Sequence, residues 1–495
     1  MHIDQLITFD MLPDDVLIEI FDFCLDKNLD GYFEPFEGQM AWIRLAHVCR
    51  RWRNVVFQSP RRLNLRLLCT HKTRARDILD VWPPLPLLIH DTYSCSYFRN
   101  VIVGISGVDN IIATLEHKDR VCQIIIGRLT NPLFEYFTRS AIMQKPFPEL
   151  IDLRLGLDAS SNQPGPIIPD SFLGGSAPRL RSLVLRDVLF PGLSKLLLSA
   201  TRLVDLNLYG IPRSWRIPPI AMATSLSALT NLKSLRLLFR YPPSRPILEN
   251  RHPPLPQLTR SILPNLTKIL FEGASEYLEE ILARIDAPQL NVMHITFFNQ
   301  IIFYTPQLFQ FISRRTMPRA PETGHIKISC QGITVKFPSQ ASDYGVPTVQ
   351  ISYMASDWER SSLEQVCTSS LPPISTLEDL YILEETYWRS RWQGDVENAL
   401  WLELLQSFAA VKNLYLCKEF ESRVAPALQE LVGERTIDVL PILENIFLED
   451  LRPSCPLHKG IETFVAARRL TSHPVAVFRW NRDSKQEVHW SFYDI

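Results

Sequence analysis

The sequence predicts an α/β chain: a small all-α amino-terminal segment, then a long array in which short strands alternate with helices. Three observations predict it. Apolar residues between Leu12 and Phe57 recur at helical spacing. A Leu-x-x-Leu-x-Leu pattern, with apolar substitutes, then returns nine times between Leu150 and Leu448. Stretches suited to helices lie between the copies, as at Pro191 to Ala200, Ser275 to Ile285 and Asn398 to Phe408. A chain of 495 residues is too long for one compact core, so two or more units or one elongated array are expected.

The amino-terminal segment opens with Leu12-Pro13-Asp14-Asp15-Val16-Leu17. Pro13 suits the first position of a helix because it has no amide hydrogen to leave unbonded, and Asp14 and Asp15 complement the positive end of the helix dipole. Leu17, Ile20, Phe21 and Cys24 fall on one stripe. A loop rich in Glu, Gly and Pro follows, to about Gln39. Trp42, Leu45 and Ala46 begin a second apolar stripe, and Cys49, Trp52, Val56 and Phe57 a third after a tight break. Three short helices enclose little core, and their apolar residues exceed what they bury among themselves, so part of this surface is expected to meet another protein.

The order Leu-Pro-x-x-x-Leu-x-x-Ile-Phe, then Trp-x-x-Leu-x-x-Val-Cys-Arg-x-Trp-Arg, resembles the F-box over about the first 60 residues. The insert between Leu25 and Met40 is longer than in compact F-boxes. The resemblance implies docking onto the small Skp-type adaptor of cullin-RING ubiquitin ligases. By position, Leu12, Pro13, Leu17, Ile20, Phe21, Val48, Cys49 and Trp52 would be the adaptor contacts. From Gly38 to Arg76 there is no Asp or Glu, whereas Arg44, Arg50, Arg51, Arg53, Arg61, Arg62, Arg66, Lys72, Arg74 and Arg76 are all present. Such a field steers an acidic protein partner, and Skp-type adaptors are acidic in the family this stretch resembles.

Beyond it, Arg61 to Asp80 reads as a basic connecting helix, and Trp82-Pro83-Pro84-Leu85-Pro86 as a stiff break. The expected domains are therefore 1–80, 81–480 and a tail at 481–495. The repeats begin at Leu150, Leu180, Leu203, Leu232, Leu266, Leu290, Leu377, Val411 and Leu443. Most intervals run from about 23 to 34 residues, at or above leucine-rich-repeat spacing. In each copy alternate strand residues point inward, and the leucine three positions earlier closes the turn above. Asp119 to Ile126 reads as an earlier copy. Between Ile295 and Leu377 the copies degenerate, leaving His325 to Cys330, Gly332 to Phe337 and Val349 to Tyr353 as strands with a hairpin near Gln331-Gly332. The asparagine typical of short repeats is largely missing. Ile461 to Leu470 suits a helix and Val475 to Trp480 a last strand, together a terminal cap. An amino-terminal F-box joined to an irregular leucine-rich-repeat solenoid resembles the large F-box families of mushroom-forming fungi, through runs such as Trp401-Leu402-Glu403-Leu404-Leu405 and Phe464-Val465-Ala466-Ala467-Arg468.

The residues between the inward leucines face the side on which solenoids bind targets. Arg154, Arg186, Asn207, Tyr209 and Arg236 are the candidate contacts for an unknown protein target, since arginine and tyrosine are frequent binding anchors. Other chemistry finds little support. There is no phosphate loop, dinucleotide fingerprint, Gly-x-Ser-x-Gly or His-Glu-x-x-His, so no catalytic residue, cofactor or metal is expected. Cys455-Pro456-Leu457-His458 offers two zinc ligands where a structural site needs four. The net charge of -1 argues against a dedicated nucleic-acid binder. The longest uncharged run, Ala287 to Ser313, carries too many polar residues and prolines for a membrane span. The nine scattered cysteines include no Cys-x-x-Cys, and no secretory signal opens the chain, so cytosol or nucleus is expected. The function expected is a substrate receptor of a ubiquitin ligase. The alternative is a non-catalytic repeat scaffold that joins no ligase.

Overall fold

In the computed structural model the chain divides into two compact units, residues 1–217 with 224–232, and residues 218–223 with 233–495. The structure describes residues 12–25, 41–72, 74–91, 103–157, 165–211, 217–240, 260–298, 305–314, 323–329, 332–337, 348–354, 378–384, 398–406, 408–431, 435–449 and 458–480. The long insert after Leu25, Leu377, Cys455 and the tail from 481 lie outside them.

The first unit opens with helices α1 (Asp14–Cys24), α2 (Ala41–Val48) and α3 (Arg50–Gln58). Pro13 sits one place earlier than expected, as the residue before the first helical turn. A parallel sheet follows, formed by β1 (Leu67–Thr70), β2 (Leu87–His90), β3 (Val121–Leu129), β4 (Asp152–Leu157), β5 (Ser182–Arg186) and β6 (Asp205–Ile211) in sequence order. Parallel neighbours need a crossover. Helices α4 (Ala75–Leu79), α5 (Ile105–Leu115), α6 (Asn131–Arg139) and α7 (Leu193–Ser199) supply four of them.

Arg61 to Asp80 is not one helix. It contains β1, all four of whose residues are buried, and only the short α4. The Trp82-Pro83-Pro84 stretch does more than break the chain. The Trp82 ring lies 5.2 Å from Trp42, 6.3 Å from Phe57 and 5.9 Å from His47, while Trp42 Nε1 donates to the Arg66 carbonyl at 3.0 Å. These contacts pack the amino-terminal helices directly against the start of the sheet.

The second unit holds β7 (Ser234–Phe239), β8 (Lys268–Gly273), β9 (Val292–Phe298), β10 (Thr323–Ser329), β11 (Gly332–Phe337), β12 (Thr348–Met354), β13 (Asp379–Glu384), β14 (Asn413–Leu416), β15 (Asn445–Glu449) and β16 (Ala476–Trp480). Its spatial order is β7-β8-β9-β12-β11-β10-β13-β14-β15-β16. The hairpin expected at Gln331-Gly332 is the antiparallel β10–β11 pair, and β11 pairs antiparallel with β12. Those three strands enter the sheet in reverse order, so β12 pairs parallel with β9 and β10 parallel with β13. Helices α8 (Ser275–Leu282), α9 (Pro306–Ser313), α10 (Asn398–Gln406), α11 (Lys418–Gln429) and α12 (Lys459–Leu470) lie between strands.

One local device recurs in both units. The leucine that opens a copy closes a turn, as when Leu180 N donates to Ala177 O at 3.1 Å, Leu203 N to Ala200 O at 2.9 Å and Leu290 N to Ala287 O at 3.2 Å. The next two amides then share one carbonyl of the preceding copy: Val204 and Asp205 on Arg181, Asn291 and Val292 on Thr267, Glu444 and Asn445 on Lys412. The inward residues of the copies, such as Leu153, Leu183, Leu206, Leu235, Ile269, Met293, Leu414 and Ile446, are buried. Backbone groups drawn into the fold must be paired, and this shared carbonyl meets that requirement at these strand entries. In α12 the fully buried Arg468 donates to the carbonyl of Leu440 at 2.9 Å, which lets a guanidinium sit inside an apolar layer.

Candidate functional site: a helical face and two strand faces

Helix α1 buries Leu17, Ile18 and Phe21 against its own unit. Trp52 of α3 lies 4.8 Å from the Phe21 ring. Arg51 ties the start of α3 to the start of α1, donating from Nε and Nη2 to Asp14 Oδ1 at 3.1 and 2.7 Å and from Nη2 to the Leu12 carbonyl. The break between α2 and α3 is Cys49, whose extended backbone (φ -156) starts α3 and whose Sγ accepts from Trp52 N at 3.4 Å. A thiol is a weak acceptor, so this is a modest cap.

The eight positions named as adaptor contacts therefore sort into two sets. Leu17 and Phe21 are inside the chain's own core. Leu12, Ile20, Cys49 and Trp52 are half-buried, and Pro13 and Val48 are exposed. Two residues outside that set join them at the surface: Val16 is 42% exposed and Phe23 91%. At 100° per residue, Val16, Ile20 and Phe23 fall within about 60° of one another, on a stripe centred about 110° around α1 from Leu17 and Phe21. A helix apolar on both sides is normally buried on both sides. The open stripe was readable at i, i+4, i+7, but the adjacent Leu17 stripe masks it in sequence.

Charge surrounds this face. Arg44, Arg50, Arg53, Arg61, Arg62, Lys72, Arg74 and Arg76 are exposed. Two of the region's arginines carry acidic partners from α1: Arg51 on Asp14 at 2.7 Å, and Arg62 on Glu19. The field is thus partly neutralised by α1 and positive beyond it.

On the first unit's sheet, the residues between the inward leucines form registered rows. Gln123, Asp152, Ser182 and Asp205 stand in one row, and Ile125, Arg154, Val184 and Asn207 in the next. Arg186 pairs with Tyr209, and its guanidinium carbon lies 5.3 Å from the Tyr209 ring centre. Arg154 is held by Asp152, with Nη2 to Oδ2 at 3.0 Å. The carboxylate also accepts from Gln123 Nε2 at 2.7 Å, and Gln123 Oε1 meets His90 Nε2 at 3.2 Å. Burial pushes His90 down to about 4, so it is neutral at ordinary pH. Arg154, Arg186, Asn207 and Tyr209 thus share one face, whereas Arg236 belongs to the second unit. His90, Gln123 and Asp152 were not foreseen, because only strand register joins residues so far apart in sequence.

The second unit's corresponding face is different in kind. Tyr381 stacks on Tyr415 with centroids 4.0 Å apart and planes 8° apart, Tyr415 on Phe447 at 4.4 Å and 8°, and Phe447 on Phe478 at 5.3 Å and 25°. Beside this aromatic ladder runs a polar one: Asn413 Nδ2 donates to Asp379 Oδ1 at 2.6 Å and Asn445 Nδ2 to Asn413 Oδ1 at 2.7 Å.

Chemistry is sparse on both faces. Among the described residues no group of three or more His, Cys, Asp or Glu could hold a metal, and no helix is long and apolar enough to cross a membrane. Burial pushes the Cys69 thiol up to about 12 and raises Cys122, so neither is a thiolate nucleophile at ordinary pH. The F-box-like family model matches residues 9–66, the stretch that contains α1, α2 and α3. No curated protein matches the chain.

Proposed function

We propose that this chain is the substrate-recognition subunit of a Skp-type-adaptor/cullin/F-box ubiquitin ligase, working in the cytosol or nucleus. F-box domains bind Skp-type adaptors, and proteins that carry them are generally non-catalytic. The single observation that carries the reading here is the second apolar side of α1, where Val16, Ile20 and Phe23 face outward within the F-box-like stretch. The neighbouring acid-free field of Arg and Lys favours an acidic partner and raises its association rate at low salt. The strand array, read as an irregular leucine-rich-repeat solenoid, would present the target through Arg154, Arg186, Asn207, Tyr209 and, in the second unit, Arg236. The mechanism is proximity: a bound target's lysines gain effective concentration near a ubiquitin-charged enzyme, with no chemical group supplied by this chain.

A scaffold that joins no ligase is the second reading. It is favoured by the packing of Trp42 on Trp82 and by the complete burial of Phe21 in its own unit. Affinity capture of the full chain from its native cell separates the two. The receptor reading expects adaptor and cullin in the eluate, and their loss from Val16→Asp with Val48→Asp. These exposed positions are better probes than Phe21, where a carboxylate would be buried and the fold lost. An eluate without adaptor, from cells that contain it, leaves the scaffold.

A further inference from the structure

Strands β4, β5 and β6 of the first unit align Gly156, Arg186 and Tyr209 in one row of outward positions. The two neighbours hold the arginine in place. A Cβ on Gly156 would stand 3.2 Å from the Arg186 Cβ, so the bare glycine makes room for the arginine stem. On the other side the guanidinium carbon lies 5.3 Å from the Tyr209 ring centre, a cation–π distance. The fork itself is unspent. Among the described residues Arg186 has no hydrogen bond and no acidic partner, and its side chain is exposed. Arg154, on the adjacent strand, instead gives Nε and Nη2 to Asp152.

Beside this row the sheet is bare. Gly127 of β3 and Gly156 of β4 each follow the registered pair Ile126 and Leu155. Gly127 is exposed, its φ is not positive, and a Cβ there would meet nothing within 4 Å. Neither crowding nor backbone conformation requires glycine at 127. Two adjacent outward positions without side chains let another backbone come down onto the sheet. We propose that Arg186 is the specificity-determining residue of this face and binds a peptide carboxylate in its fork, with the peptide backbone over Gly127 and Gly156. The inference rests on the reading of the face as a target site and names the guest. A planar guanidinium matches a carboxylate through two parallel N–H···O bonds. A phosphate ester is the poorer guest. Asp187 is next in the chain and Asp152 and Asp205 stand on the same face, and their charges oppose a dianion more than a monoanion.

Two random hexapeptide libraries that include phosphoserine, one with free carboxyl termini and one amidated, test it when passed over the immobilised full chain. Retained peptides are sequenced by mass spectrometry. Enrichment of Asp or Glu in both libraries supports a side-chain carboxylate, and retention of the free-terminus library alone supports a chain end. Phosphoserine enriched over Asp and Glu, or retention that ignores acids, overturns the carboxylate while leaving a target face of another kind. No retention overturns it as well. A retained acidic peptide, fluorescently labelled, is then titrated by anisotropy. Arg186→Gln weakens binding about tenfold or more, as loss of a charge-assisted pair does. Arg186→Lys keeps the charge, loses the fork and weakens binding several-fold. Arg139→Gln, which removes an exposed charge from α6, leaves affinity unchanged. If Arg186→Gln weakens binding no more than Arg139→Gln, or Arg186→Lys keeps full affinity, the fork is not the determinant and the proposal falls. Acidic-peptide binding by a chain that captures no adaptor supports the inference and removes only the ligase.

Discussion

The two units build their sheets from the same inward pattern and dress the outward side in opposite ways. In the first, the outward residues of β3 and β4 make a polar relay, with Gln123 and Arg154 both held on Asp152. In the second, Tyr381, Tyr415, Phe447 and Phe478 stack down successive strands. Inward leucines hold the array together, so the positions between them are released to specify a surface. The first surface is half-exposed and charged, suited to a polar partner. The second buries Tyr415 and Phe447 in the middle of its stack and leaves Tyr381 and Phe478 half-buried.

If that contrast is right, outward substitutions cost very different amounts in the two units. Tyr415→Ala removes a 3%-exposed ring from the middle of a stack and is expected to destabilise by about 3–5 kcal/mol, as deletion of a core aromatic does. Urea unfolding that shows a loss below about 1 kcal/mol would mean the ladder is solvated after all.

Titration gives the next largest effect, with opposite signs in the two units. His90, in the first, has its folded pKa depressed by burial from 6.5 to about 4. The unfolded chain then binds more protons than the folded one between those values. Its contribution is full above pH 6.5 and is lost as pH falls toward 4, by up to about 3 kcal/mol. Glu279, in the second, is raised by burial from 4.5 to about 7, although its carboxylate accepts from Gln307 N and Leu308 N, both at 2.8 Å, at the start of α9. Here the folded chain binds the extra proton, so stability falls as pH rises from 4.5 to 7 by a similar amount. Denaturant midpoints of His90→Gln and Glu279→Gln across pH 4–8 check this: each variant removes its own slope and leaves the other. Slopes of the same sign would refute the assignment.

The smallest effect is expected at Arg154→Ala. Its guanidinium is exposed and its pair with Asp152 is short-ranged, so the stability change is below about 1 kcal/mol while target capture weakens. A large loss of stability would make the relay structural rather than a binding surface.

Much of this architecture was legible in the chain. Leu150, Leu180 and Leu203 announce β4, β5 and β6, and the Gln331-Gly332 turn announces the β10–β11 hairpin. Strand β1 was not, because Leu67, Leu68, Cys69 and Thr70 are all buried and so carry no alternation from which a strand could be told from a helix. Trp82 reads as part of a proline-rich break, and only its packing on Trp42 shows it as the residue joining helices to sheet. For the candidate sites the same division holds. Leu17 and Phe21 were found because the helical stripe is local, but burial alone separates them from Val16 and Phe23, which face outward. The ladders were invisible because Tyr381, Tyr415 and Phe447 meet only through strand register.

The most direct test is calorimetric titration of the purified full chain with a purified Skp-type adaptor. Adaptor docking through α1 predicts saturable one-to-one binding that weakens with added salt and disappears in the double variant Val16→Asp with Val48→Asp, which keeps the unaltered circular dichroism spectrum. No heat and no complex with the unaltered chain, or undiminished binding by the variant, would contradict it.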